Sequence, residues 1–283
     1  TGDTLCEKGS DIVLEGIEFP EPNFSVAITP KNKGDEDKLG SGISKILNED
    51  PALKMEKNIE TNETILTGMG ELHLDVVVSK LKERYGVQVE MSTPKVPYRE
   101  TIRKAVSRVE AKYKKQTGGR GQYGHVFLDV APLSDKEFQF EETIFGGVVP
   151  KQYIPAVEKG VVEAMKEGVL AKYPVTNIKV TLVDGSYHSV DSSEHAFKLA
   201  GSMALKKALE QADPVLLEPI IEVEVRVPEK FMGDIMGDLN SKRGRILGMD
   251  SEGEEQVVRA LVPLAEMYRY AIDLKSITQG RGN

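Results

Sequence analysis

The chain has 283 residues, 40% of them hydrophobic, and a net charge of −8. That is too long for one comfortable core and long enough for two or three domains, and no apolar run reaches the length that spans a bilayer. One cysteine, Cys6, cannot close an internal disulfide, which fits a reducing cytosol, and four histidines without ligand spacing exclude a structural zinc site.

After a short N-terminal strand, FSVAITP (24–30) alternates apolar and polar residues and reads as a strand. Leu39, Ile43, Ile46 and Leu47 share one face of a helix over 35–50. LKMEKNIET and ETILTGM alternate again, as two strands. Val76, Val77 and Val78 favour a strand locally. The wider window decides for a helix over 71–86, with Leu74, Val77, Val78, Leu81 and Tyr85 on one face and Gly86 as the stop. VQVEMSTP (87–94) closes the segment. The order β-α-β-β-α-β is the ferredoxin-like split unit.

The middle, 95–215, differs. Polar, strand-like stretches surround TGGRGQYG. Strands are expected at 138–144 and 177–188, and a helix in YIPAVEKGVVEAMKEG. A second helix covers 192–213. Its stripe of Phe197, Ala200, Gly201, Ala204, Leu205 and Ala208 permits close packing on a sheet, and Asp191 with Glu194 resembles a capping box. Pro94, Pro97, Pro214 and Pro219 read as hinges around this domain. The last segment repeats the first scheme: a strand at 220–228, a helix with Met232, Ile235, Met236 and Leu239 inward, a hairpin around Gly253 and a helix over 265–277. One strand is missing, so a cut or disordered C-terminus is expected. The start at Thr1 instead of Met likewise points to a fragment or a processed chain.

Charge is uneven. From Arg99 to His125 there are eight basic residues against Glu100 and Glu110 alone. An acidic body with one basic limb suggests that the limb meets a polyanion; a solvated charged strand is the plainer alternative. At the end of that limb, Gly119, Gly121, Gly124 and Val126 spell a G-x-G-x-x-G-x-V pattern shared with phosphate loops. A dinucleotide turn needs a buried strand before it and a helix after it. Here AKYKKQ is too charged and HVFLDVAPL alternates like a strand. The kinase lysine strand, H-R-D and D-F-G are absent. What remains is a strand–loop–strand with Gly118, Gly119, Gly121 and Gly124 in its turn. It is either a flexible hairpin tip or a tip whose backbone touches RNA together with Arg120, Gln122, Tyr123 and His125. NKGD (32–35) imitates a guanine-reading motif, but no phosphate loop precedes it. It reads better as a helix start with Asp35, Glu36 and Asp37 facing the dipole. In DGSYHSVDSSEHAF, Asp184-Gly185 signals a turn and His188 sits in polar surroundings. His188 and Asp191 have no nucleophile or carboxylate pair beside them, so catalysis is not indicated.

Taken together, TGDTLC with FPEPNFSVAI, TGMGELHLDVVVSKL, PYRETI, GGRGQYGHV, GSYHSVDSSEHAFKLAGSMALK, PVLLEPI and GDLNSKRGRILGM resemble the C-terminal part of bacterial elongation factor G over essentially the whole chain. The resemblance implies an α+β protein: the tail of a barrel domain II at 1–9, a ferredoxin-like domain III at 10–94, an elongated tip domain IV at 95–215 with a left-handed β-α-β crossover (a ribosomal-protein-like fold), and a ferredoxin-like domain V at 216–283 lacking its last strand. It implies that 117–125 and 184–188 are tip loops contacting RNA through Gly118, Gly119, Arg120, Gly121, Gln122, Tyr123, Gly124, His125, Asp184, Gly185, Ser186, Tyr187 and His188, with Lys112, Lys114 and Lys115 as basic support. The implied partners are the ribosome, tRNA and mRNA, for a cytoplasmic monomer without membrane contact. No catalytic or metal-binding residue is expected, because GTP and Mg belong to an N-terminal domain absent from this chain. KYKKQTGGRG and SEGEEQVVRALVPLAEMYRYAIDL look closer to second-copy relatives. Translocation, ribosome recycling and ribosomal protection therefore stay open, as does a standalone nucleotide-binding enzyme using residues 119–126.

Overall fold

The computed structural model describes residues 14–116, 118, 119 and 121–283, with Thr4, Cys6, Glu7 and Gly9 before them. Most of the expected barrel-domain tail (1–9) lies outside the described residues. The chain divides into two compact units, one formed by Thr1–Val96 with Pro219–Asn283 and the other by Pro97–Glu218.

The first segment holds β1 (Phe24–Pro30), α1 (Glu36–Glu49), β2 (Lys54–Asn58), β3 (Glu63–Gly68), α2 (Glu71–Tyr85) and β4 (Val89–Ser92). The strands make an antiparallel sheet in the order β2-β3-β1-β4. Leu39, Ile43 and Ile46 of α1 and Leu74, Val77 and Leu81 of α2 share one buried cluster with Phe24, Val26 and Ile28 of β1. Gly86 ends α2 in the left-handed region, φ 67°, and its N–H bonds back to the last turn.

The middle unit begins with β5 (Arg99–Ile102), β6 (Val106–Lys115), β7 (Gln122–Pro132) and β8 (Phe138–Glu142). Then come α3 (Ile154–Met165), β9 (Ile178–Ser186), α4 (Glu194–Gln211) and β10 (Pro214–Leu217). Its main sheet runs β6-β7-β9-β8, with β8 and β9 parallel and joined through α3. β10 pairs antiparallel with β5. Pro214 therefore opens an edge strand opposite Ile102 and is not a hinge. The cap of α4 is Ser193, whose hydroxyl accepts from Ala196 N at 3.2 Å, and not the Asp191–Glu194 pair.

Small residues let α4 approach two neighbours at once. A Cβ at Gly124 of β7 would run into the Ala196 carbonyl, and one at Gly160 of α3 into the Lys198 carbonyl. A Cβ at Gly201 would meet the Val157 carbonyl at 2.8 Å. The stripe on α4 thus meets a helix as well as the sheet.

At one end of this unit the basic limb carries a buried acid. Glu100 is 1% exposed. Its carboxylate accepts from Leu170 N at 3.0 Å, Ala171 N at 2.8 Å and Tyr173 N at 3.3 Å. Three backbone donors replace the water the carboxylate gave up.

The last segment has β11 (Ile220–Pro228), α5 (Met232–Ser241), β12 (Arg245–Glu252), β13 (Glu255–Pro263), α6 (Leu264–Met267) and α7 (Tyr270–Ile277). The sheet order is β11-β13-β12. The helix expected over 265–277 is two helices. The two are separated by a turn at Tyr268 and Arg269, in which Arg269 leaves helical geometry at φ −110°, and the Tyr268 hydroxyl donates to the Lys95 carbonyl at 3.2 Å. On the other edge of β11, Arg226 and Asn283 exchange both backbone hydrogen bonds, at 2.7 and 2.9 Å.

Candidate nucleic-acid interface

The site is built on the strand ends opposite Glu100. Lys115 pairs with Gln122, closing a short loop between β6 and β7. His125 pairs with Ser186 and Phe127 with Asp184. Alternation along β7 sends Gly124, Val126 and Leu128 inward, where they are buried. Tyr123, His125 and Phe127 face outward. Gln122–His125 therefore open β7 and are not loop as the resemblance implies, while Asp184–Ser186 end β9, within the strand expected over 177–188. Gly124 is buried against α4, so its lack of a side chain serves internal packing.

The two segments are tied together. Asp191 Oδ1 accepts from Gly121 N at 2.9 Å, and the Asp191 carbonyl accepts from Tyr123 N at 2.9 Å. The Ser192 hydroxyl donates to the Tyr123 carbonyl at 3.0 Å and accepts from His188 N at 2.9 Å. Ser186 Oγ lies 2.7 Å from both Tyr123 Oη and His125 Nδ1. His125 Nε2 lies 2.9 Å from Glu110 Oε1. This carboxylate–imidazole–hydroxyl chain resembles a hydrolytic triad in its atoms. However, the serine hydroxyl is engaged by two partners on a sheet surface, which makes it a crosslink.

His188 sits at the apex of the second segment. Its Nδ1 accepts from Val190 N at 3.3 Å and Asp191 N at 3.2 Å, and Asp191 Oδ2 is 3.5 Å away. Its ring is half exposed, 6.2 Å from that of Tyr123. Tyr187 beside it is exposed. Gly118, at φ 64°, turns the first loop, and Gly119 is exposed. Arg120 lies outside the described residues. Gln122 is turned toward its own sheet and accepts from Tyr113 Oη at 2.9 Å. A Cβ on Gly185 would strike the His125 carbonyl. Lys112 places its ammonium 5.3 Å from the Tyr123 ring centroid, and Lys114 and Lys115 are exposed. Asp184 is held below the usual carboxylate range, first by the Arg108 guanidinium at 2.8 Å and then by Gly185 N–H.

Sequence reasoning missed Asp191 and Ser192 as the tie between segments. Their one legible signal was position, three and four residues after His188 in a polar turn. It also missed Glu110 and Arg108, which it had counted only as charge. Because β7, a strand, follows the glycine loop, the dinucleotide reading of 119–126 lacks the helix it needs.

Three family models match consecutive stretches: "Elongation Factor G, domain III" over residues 19–93, "Elongation factor G, domain IV" over 94–213 and "Elongation factor G C-terminus" over 215–283. The chain belongs to the elongation factor G family. A crystal structure of a protein from Thermus thermophilus is similar to it at 50% identity and a TM-score of 0.81, over 94% of this chain and 40% of that one. The chain thus spans well under half of the length of that relative. The tied strand ends lie in the stretch matched by elongation factor G domain IV. Among the described residues no helix is long and apolar enough to cross a membrane.

Proposed function

We propose that this chain is the ribosome-binding C-terminal part of a translation elongation factor G. In this reading it promotes movement of tRNA and mRNA by placing the distal end of the middle unit in the decoding region of the small subunit. GTP and Mg are handled by a domain outside this chain, and the chain itself performs no catalysis. The setting is the cytoplasm, and the protein acts as a monomer.

One observation carries the reading. Two polar segments, each ordinary alone, are locked side by side through Asp191 and Ser192, with Lys112, Lys114 and Lys115 along the adjoining strand. A preorganised polar end with exposed lysines suits RNA: the lysines give attraction to phosphates that does not depend on sequence, and the fixed backbone gives fit. Occupying the space that tRNA vacates makes forward movement one-way without any bond being broken.

The test uses full-length protein carrying His188→Asn. Asparagine Oδ1 can replace Nδ1 as acceptor for the Val190 and Asp191 N–H groups, so the turn is kept while the outward end of the imidazole is lost. Single-round GTP hydrolysis on the ribosome stays near wild type, and pre-steady-state translocation slows about tenfold, equivalent to about 1.4 kcal/mol of barrier. Equal slowing of both steps refutes a separate mechanical role for this end.

A further inference from the structure

Phe145 is 92% exposed. One exposed apolar residue is ordinary on a protein surface; the manner of its display is not. Ile144 packs on the core of the middle unit and Val149 is buried within it. Between them Gly146 and Gly147 both take positive φ, 71° and 70°, with open space where each Cβ would stand. The chain therefore reverses directly behind the ring and is anchored on both sides. A side chain held out on an anchored turn loses little backbone freedom when it binds.

The turn lies at the distal end. β8 runs parallel to β9, so it leaves the sheet toward Ser186, and Thr143 N donates to the Leu182 carbonyl at 2.9 Å. Val149 fills the space that a side chain on Gly185 would need. Tyr153, just beyond, stacks on Phe197 at 4.8 Å and donates to the Ser192 carbonyl at 3.4 Å. Residues 143–149 thus border Gly185 through Val149, and Tyr153, four residues further on, reaches Ser192.

We propose that this turn is a third element of the nucleic-acid interface and that Phe145 stacks on an unpaired RNA base. The proposal rests on the ribosome-binding function put forward above. A ring with free faces accepts any base, and the exposed lysines of the same unit attract the attached phosphates. An apolar protein pocket would instead call for a contiguous apolar patch around the ring.

The chain has no tryptophan, so Phe145→Trp installs a single reporter. Because ribosomal proteins carry tryptophans too, the residue is supplied as 5-hydroxytryptophan and excited beyond tryptophan's absorption; titration with ribosomes is expected to quench its emission, as stacking on a base does. Phe145→Ala and Phe145→Leu are each expected to weaken ribosome binding about tenfold, while Phe145→Trp binds like wild type. Since the ring is exposed, these variants fold alike, which circular dichroism checks. If wild type binds ribosomes and Phe145→Ala binds equally well, the third element is refuted and the function stands. If Phe145→Leu binds like wild type and the reporter emission shifts to the blue without quenching, the partner is a protein surface and the RNA assignment is wrong. If wild type itself does not bind ribosomes, the function and this inference fall together.

Discussion

The two ends of the middle unit both use a carboxylate to hold a loop, and they use it differently. Glu100 is sealed from water and gathers three N–H groups of one connection. Asp191 stays partly open, takes one N–H from Gly121 and faces an exposed imidazole. A buried carboxylate that gathers three backbone N–H groups is costly to disturb, so the Glu100 end behaves as fixed structure. A partly solvated carboxylate with one N–H donor fixes geometry at little energy and leaves neighbouring polar atoms to a partner. The same residue chemistry therefore separates anchorage from contact by burial alone.

The largest effect expected from breaking this contrast is at Glu100. Glu100→Ala takes the acceptor from three part-buried N–H groups and leaves a void where the carboxylate was buried, lowering the unfolding free energy by about 3 kcal/mol. Urea denaturation measures it, and a loss below about 1 kcal/mol would mean that water replaces the carboxylate freely. Next come the glycines. Gly124→Ala forces β7 away from the Ala196 carbonyl and costs about 1–3 kcal/mol by overpacking. Gly118→Ala meets open space and only a left-handed backbone, costing about 1 kcal/mol. Thermal melts of the two variants should rank them in that order. Asp191→Ala is expected to cost under about 1 kcal/mol globally while hydrogen exchange at Gly121 N–H accelerates; unchanged exchange there would show that the tie is not holding the loop.

The smallest effect is electrostatic. Asp184, with an ordinary value of 3.8, is depressed in the folded chain by Arg108. The folded state then binds fewer protons than the unfolded one. Its contribution is present above the ordinary Asp range and is lost as pH falls through the folded value. Arg108→Met should lower the melting temperature slightly at neutral pH, where most of this increment is present, and converge on wild type at acid pH, where it is already lost; the effect is small because the pair is exposed and Gly185 N–H still holds the carboxylate. Melts at pH 3 and pH 7 test it.

Local rules were enough for much of the fold. The face of α2 could be read through three consecutive valines because Leu74, Val77 and Leu81 recur at helical spacing, and Gly86 is a stop that needs no partner to recognise. The segments that misled depend on distant partners. Pro214 looks like a hinge until Ile102 lies opposite it. The break before Tyr270 has no proline or glycine, and it coincides with a hydroxyl reaching Lys95. Glu100 reads as one acid in a basic run, and only the 168–173 connection buries it. At the site, the pairing of the two segments was expected, but not which atoms join them. Asp191 was assigned to a helix cap because its nearest sequence neighbours are helical, while its actual donor, Gly121, lies 70 residues earlier. Phe145 gave no signal at all, since exposure of a single ring is a property of the finished surface.

The glycines at the contacts of α4 also set how the middle unit bears load. At Gly124 and Gly160 the spacing between layers is fixed by main-chain atoms resting on carbonyls, and at Gly201 by the Val157 carbonyl with its side chain beside it. Such contacts have low compressibility. A push on the distal strand ends then passes along α3, α4 and β7 toward the Glu100 end with little of it absorbed as internal rearrangement. Inserting a methyl at any of the three would do more than loosen the fold: it would put a spring in the middle of a strut.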